Sequence, residues 1–278
     1  MRNKVKKWLI VLGGLLLWGM AAACGGTPPA PTSTPVVGRL TFAGSTTVQP
    51  LAAKIGQAFN AQYPAVTLDI AAGGSSVGIS AIHDGTVDIG MASRALKPEE
   101  AEGIVAHQIA VDVLAIIVNT ANPVINLSTA QLRDIYLGAI TNWQDVGGPD
   151  APITVVIREK TSGTRGAFDE IVLDKAEPVG ADLRTAITAG DMAALVAQEP
   201  YAIGYVGFGN LEAGLRALSI DGVAPSEANA RAGSYRLTRP LLLLTGPLTQ
   251  PLAQAYVDFA LSAAGQRIVA ENGWVPVQ

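Results

Sequence analysis

Three times in this chain a short β-rich segment runs into a turn made of glycine and hydroxyl residues, and then into a helix-like segment. The turns are Gly44-Ser45-Thr46-Thr47, Gly73-Gly74-Ser75-Ser76 and Thr161-Ser162-Gly163-Thr164. Strand, glycine-rich turn and helix in repetition is the pattern of an α/β fold with parallel strands. The segments read as strands are 39–43, 66–71, 87–91, 109–119, 153–157 and 235–244, and those read as helices are 50–60, 77–84, 129–136, 167–173 and 252–272. The run Ile109–Asn119 (IAVDVLAIIVN) is too apolar for a one-sided surface strand, so burial on both faces is expected. No internal repeat is present.

The same turns carry the chemistry. A helix start leaves four backbone N–H groups unpaired and about half a positive charge. Hydroxyls and glycine-freed N–H groups at such a start can hold an anion without any lysine. Each turn taken singly can equally be a plain N-cap, with Ser or Thr capping its own helix. Three turns converging on one cleft would instead surround a tetrahedral anion. Arg158 follows one strand and stands four residues before Ser162, where a guanidinium can grip an oxyanion through two parallel hydrogen bonds. Its alternative is a salt bridge with Glu159 or Asp169. Arg94, after Ser93, and Arg165, after Thr164, stand near strand ends as well.

The N-terminus sets the compartment. Arg2, Lys4, Lys6 and Lys7 precede an uncharged apolar run from Trp8 to Ala23, 16 residues long and short for a bilayer span of about 20. A basic start, a short apolar core and the small residues Ala21-Ala22-Ala23 mark residues 1–23 as a secretory signal. Cys24 is the chain's single cysteine and excludes an intrachain disulfide. Its setting resembles a bacterial lipobox with Ala21 where Leu is usual, which implies a lipidated Cys24; ordinary cleavage leaving a free thiol is the alternative. The Gly-, Pro- and Thr-rich stretch that completes 24–35 reads as a flexible tether. The chain carries 19 basic and 23 acidic residues; removal of the four basic residues of the signal leaves 15 against 23, a net charge of −8. That acidity and the lack of a basic cluster argue against nucleic acid as a partner, and leave any anion to local donors and dipoles.

Seven segments together resemble the phosphate-binding proteins of bacterial ABC importers, members of the type II periplasmic binding-protein family. They are GSTTVQPLAAKIGQAF (44–59), AGGSSVGI (72–79), DIGMASR (88–94), LRDIYLGAITNW (132–143), REKTSGTRGAF (158–168), AIGYVGFG (202–209) and DFALSAAGQRIVAENGWVPV (258–277). The most specific is R-x-x-x-S-G-T. The resemblance implies that Arg158, Ser162, Gly163 and Thr164 hold phosphate from one lobe, with Thr46, the Thr47 N–H and Ser75 donating from the other. Ser93-Arg94 occupies the place where well-studied relatives carry an Asp that accepts the proton of hydrogen phosphate. Ser93 and Arg94 are therefore expected at the site, and Asp169 and Glu170 are candidates for that acceptor.

The implied fold is α/β with two lobes, residues 36–112 with 237–278 and residues 113–236, and the ligand in the interlobe cleft. The implied function is an extracytoplasmic, lipid-anchored and monomeric receptor that passes inorganic phosphate to ABC permease subunits. It needs no cofactor or metal and is not an enzyme. A binder of sulfate, molybdate or tungstate is the alternative within the class, and a secreted phosphate-ester hydrolase the alternative outside it. The hydrolase has little behind it. Gly74-Ser75-Ser76-Val77-Gly78 fits G-x-S-x-G, yet with only His83 and His107 in the chain any triad would be squeezed into about 30 residues. No nucleotide P-loop or zinc-binding pattern is present. Asp145 and Asp150 fit no calcium loop, and Trp143 and Trp274 are expected to pack rather than to bind sugar.

Overall fold

The computed structural model describes residues 37–180 and 183–277. The signal, Cys24 and the tether fall outside the described residues. The strand–turn–helix units appear in order as β1 (Gly38–Gly44), α1 (Val48–Gln62), β2 (Val66–Ala72), α2 (Ser75–His83) and β3 (Ile89–Ala92). Then come β4 (Val105–Asn119), β5 (Asn126–Leu127), α3 (Thr129–Tyr136), β6 (Thr154–Arg158), α4 (Gly163–Ile171), β7 (Leu183–Ala186) and α5 (Ala189–Gln198). The remainder is β8 (Ala202–Gly207), β9 (Leu215–Ala217), β10 (Ser219–Ile220), α6 (Glu227–Arg231), β11 (Thr238–Thr245), α7 (Pro251–Leu261) and α8 (Ala263–Glu271).

Strand β4 is the spine of the molecule. Its first part pairs antiparallel with β11, from Val105–Thr245 to Val113–Thr238. Its second part pairs antiparallel with β8 over Leu114–Val118, and with β9. On the β11 side, β3 joins antiparallel and β1 and β2 follow in parallel. On the β8 side, β6 and β7 follow in parallel. Two α/β lobes thus share β4, and from Ile109 to Val118 all its residues except Val111 are buried, as the apolar run demanded.

Each lobe has its own apolar core. One gathers Leu40, Phe42, Leu51, Ile55, Phe59, Ile109, Leu241, Leu243, Tyr256 and Trp274. The other gathers Leu114, Ile116, Trp143, Val156, Phe168, Met192, Ile203 and Tyr205. Helix α1 shows why these segments fold as they do: Val48, Leu51, Ala52, Ile55 and Phe59 recur at helical spacing and all face the core. Trp143 and Trp274 are both packed, and the Trp143 indole N–H donates to the Tyr201 carbonyl at 2.9 Å.

One expected element divides. The segment 252–272 reads as one helix, but Ser262 adopts an extended ψ of 164°, ends α7 and caps α8, accepting from the Gly265 N–H at 3.3 Å. Gly265 lies so close to the Phe259 and Ala260 carbonyls that any side chain there would collide with them.

Candidate oxyanion site

The carboxyl ends of β1, β2, β3 and β6 meet in one crevice, the usual ligand position in parallel α/β sheets. Every turn singled out in the sequence arrives there. After β1, Ser45 Oγ accepts from the N–H groups of Thr47 (3.2 Å) and Val48 (3.3 Å), so Ser45 serves the helix start and leaves the Thr46 and Thr47 hydroxyls to the crevice. After β2, Gly74 has φ +89°, and a Cβ there would stand 2.7 Å from the Thr161 carbonyl oxygen, so a side chain would force the crevice apart. After β6, Ser162 caps α4 by accepting from the Arg165 N–H at 3.3 Å. The plain N-cap role therefore holds for Ser162, although its own O–H remains able to donate.

The two sides of the crevice touch through these groups. Thr47 and Thr164 share a hydroxyl–hydroxyl hydrogen bond of 3.1 Å. Thr46 Oγ1 accepts from Arg158 Nη2 at 3.3 Å and from the Ala189 N–H, the start of α5, at 3.2 Å. The Ser76 N–H donates to the Thr161 carbonyl at 3.1 Å. Ser75 Oγ accepts from the Ser93 N–H at 3.0 Å and lies 3.4 Å from Ser93 Oγ. Gly163 fits against Ser75 and Ser93 only because it lacks a Cβ, which would overlap Ser75 Oγ. Thr47, Ser75, Ser93, Ser162 and Thr164 are all buried.

Arg158 is 1% exposed. Its Nε donates to the Ala186 carbonyl (3.2 Å) and its Nη2 to the Ile187 carbonyl (2.8 Å), while Glu159 lies beside the guanidinium at 3.2 Å. Burial pulls its pKa below the usual arginine value; Glu159 and Tyr205 work the other way, and Arg239 adds a further lowering.

Other candidates are engaged elsewhere. Arg94 is held by both carboxylate oxygens of Glu100, at 2.6 and 2.8 Å, and of the crevice residues reaches only Ser76, at 3.4 Å. The hydrogen bond from Arg94 correspondingly lowers the Glu100 carboxyl pKa. Arg165 is taken by Asp169 (2.6 Å) and Glu177 (2.8 Å), so Asp169 is engaged by Arg165, and Glu170 is exposed. Neither acidic candidate stands in the hydroxyl cluster.

Two residues not anticipated complete the crevice. Arg239 on β11 and Asp112 on β4 form an ion pair at 3% and 0% exposure, beside Thr47 and Ser93. The sequence does carry a trace of them: one carboxylate within IAVDVLAIIVN, and one cation ahead of Pro-Leu-Leu-Leu-Leu. Among the described residues no cluster of His, Cys, Asp or Glu is suited to a metal ion, and no helix is long and apolar enough to cross a membrane.

Residues 29–264 match the PBP superfamily domain. The phosphate-binding protein PstS of Bacillus subtilis is 34% identical over 99% of this chain and 95% of its own length. A Clostridium perfringens protein, solved with bound phosphate and assigned as the substrate-binding protein of a phosphate ABC transporter, is 39% identical. It superposes with a TM-score of 0.84 over 86% of this chain and 100% of its own. An ABC-type phosphate transport receptor from Vibrio cholerae is 32% identical with a TM-score of 0.71, over 86% of this chain and 99% of its own.

Proposed function

This chain belongs to the PBP superfamily, in its branch of phosphate ABC transporter substrate-binding proteins, and from that membership we propose that it captures inorganic phosphate outside the cytoplasm and hands it to ABC permease subunits. The observation that carries the reading is the crevice itself, where buried hydroxyls, helix-start N–H groups and the Arg158 guanidinium converge from both lobes. Arg158 supplies charge; Thr46, Thr47, Ser75, Ser93, Ser162 and Thr164 supply hydroxyls; Gly163 and Thr164 supply N–H groups, the Thr47 N–H being turned to Ser45 Oγ. Arg94 is left out of this set because Glu100 holds its guanidinium.

Phosphate at neutral pH carries one or two protons, and each bound proton needs an acceptor. The carboxylate nearest Ser93, Asp112, is taken by Arg239, so in this reading the acceptors are the hydroxyl oxygens, each of which has lone pairs as well as a donor. That makes sulfate the informative competitor.

Lobe one takes residues 36–112 with 237–278 and lobe two 113–236, a division supported by the two separate apolar cores. The receptor acts as a monomer, tethered to the outer side of the membrane by lipid on Cys24. Incorporation of labelled palmitate that Cys24→Ala fails to abolish would remove the anchor from this account.

The deciding experiment is calorimetry on the purified protein, stripped of ligand and titrated with phosphate and then sulfate. One-to-one phosphate binding with weak sulfate binding is expected. Preferential binding of sulfate or molybdate would keep the cleft and change the substrate, and no oxyanion binding would end the proposal.

A further inference from the structure

Arg239 sits in an interior that normally rejects a cation, since a buried ion pair alone adds little to stability compared with apolar residues of the same volume. Its hydrogen bonds are lopsided. Nε and Nη2 both donate to a single oxygen of the paired carboxylate, Asp112 Oδ2, at 2.9 and 2.7 Å. The opposite edge has only long contacts: Nη1 to Ser93 Oγ at 3.5 Å and Nη2 to Thr47 Oγ1 at 3.3 Å. Ser93 and Thr47 belong to the hydroxyl cluster, and each has a second hydroxyl as neighbour.

Asp112 is set to orient this guanidinium. It is fully buried on β4, its carboxylate is packed against Gly207, and Arg239 is its charged partner. With one side pinned, Arg239 cannot swing away from the crevice. Its Nη1/Nη2 edge, held only by the long contacts to Ser93 and Thr47, has the spacing that fits two oxygens of a tetrahedral anion.

We infer that Arg239, pinned by Asp112, is a second guanidinium ligand for the oxyanion, opposed to Arg158 and placed beside Thr47 and Ser93. The inference rests on the phosphate reading above and adds a charge requirement to it. Arg158 and Arg239 repel each other, since each is a buried cation on the same crevice. An anion held between them replaces that repulsion with two attractions, so the doubly charged form of phosphate is favoured over the singly charged form.

The test is phosphate titration of Arg239→Met, Arg239→Lys and the double variant Arg239→Met with Asp112→Leu, with thermal unfolding of each. The double variant removes the charge without stranding Asp112, so it folds even where the single one does not. It is expected to bind phosphate at least about 30-fold more weakly than the wild type. Arg239→Lys keeps a charge but loses the two-pronged edge, and is expected to lose about tenfold. The rise in wild-type affinity across the second ionisation of phosphate should flatten in the folded double variant. Affinities within threefold of wild type in the lysine variant and the folded double variant would overturn the role of Arg239 while leaving the phosphate reading intact. A wild-type protein that binds no phosphate would take down both, and that outcome is separately visible.

Discussion

A guanidinium removed from water must be given hydrogen bonds, and how many it is given shows what remains for a ligand. Arg94 has both oxygens of Glu100 and a carbonyl of its own loop, which satisfies it within lobe one. Arg158 is satisfied differently, by carbonyls of Ala186 and Ile187 on one side and by Thr46 across the crevice. Its position at the end of β6, with the Ser162 cap following, points it at the other lobe. The two arginines look alike in the sequence, each close to the end of a strand, because the pairing of Arg94 with Glu100, six residues further on, depends on a loop whose path no periodicity reveals. Replacing Arg158 with alanine removes the charge and the bridge to Thr46 together. The expected result is at least about tenfold weaker phosphate binding, roughly 1.4 kcal/mol or more, measured by calorimetry. An unchanged affinity would retire Arg158 as a ligand.

Elements built around a turn with one chemical task were legible in advance. Helices α1, α2 and α4 start at hydroxyl and glycine residues that no strand or helix interior favours, and their apolar stripes run on from there. Two kinds of element were not legible. The short strands β7, β9 and β10 hold two to four residues each, too few for alternation to show, and their pairing partners lie far off in the chain. The break between α7 and α8 was hidden for the opposite reason, since apolar residues continue through it at helical spacing. Ser262 makes that break with one side chain: its Oγ donates to the Phe259 carbonyl at 2.6 Å and accepts from the Gly265 N–H. Ser262→Ala should therefore lower global stability by about 1 kcal/mol in denaturant unfolding, the usual worth of an N-cap. Phosphate affinity should stay unchanged, because the hydrogen bonds of Ser262 run to Phe259, Gly265 and Gln266 and to none of the crevice residues. A variant as stable as the wild type would mean that Gly265 packing alone sets the break.

At the scale of the molecule, the topology ties binding to stability. Strand β4 contributes Ile109 and Ala110 to one core and Val113 to Val118 to the other, and β11 hydrogen-bonds along the first of these segments. Neither lobe can lose its sheet without removing a strand from its neighbour, so the protein should unfold in one transition although it has two cores. The crevice adds a second tie, because the groups that face the anion come from both lobes and meet only when these approach each other, as hinge closure allows. An anion that binds only the closed, folded state stabilises the entire unit by mass action. Phosphate at about a thousand times its Kd should add about 4 kcal/mol to the unfolding free energy. At the same concentration a tenfold weaker variant such as Arg158→Ala should gain about 1.4 kcal/mol less. Denaturant unfolding with and without phosphate measures both quantities. Two resolved transitions, with only one moved by phosphate, would show that the lobes fold independently and that β4 does not couple them.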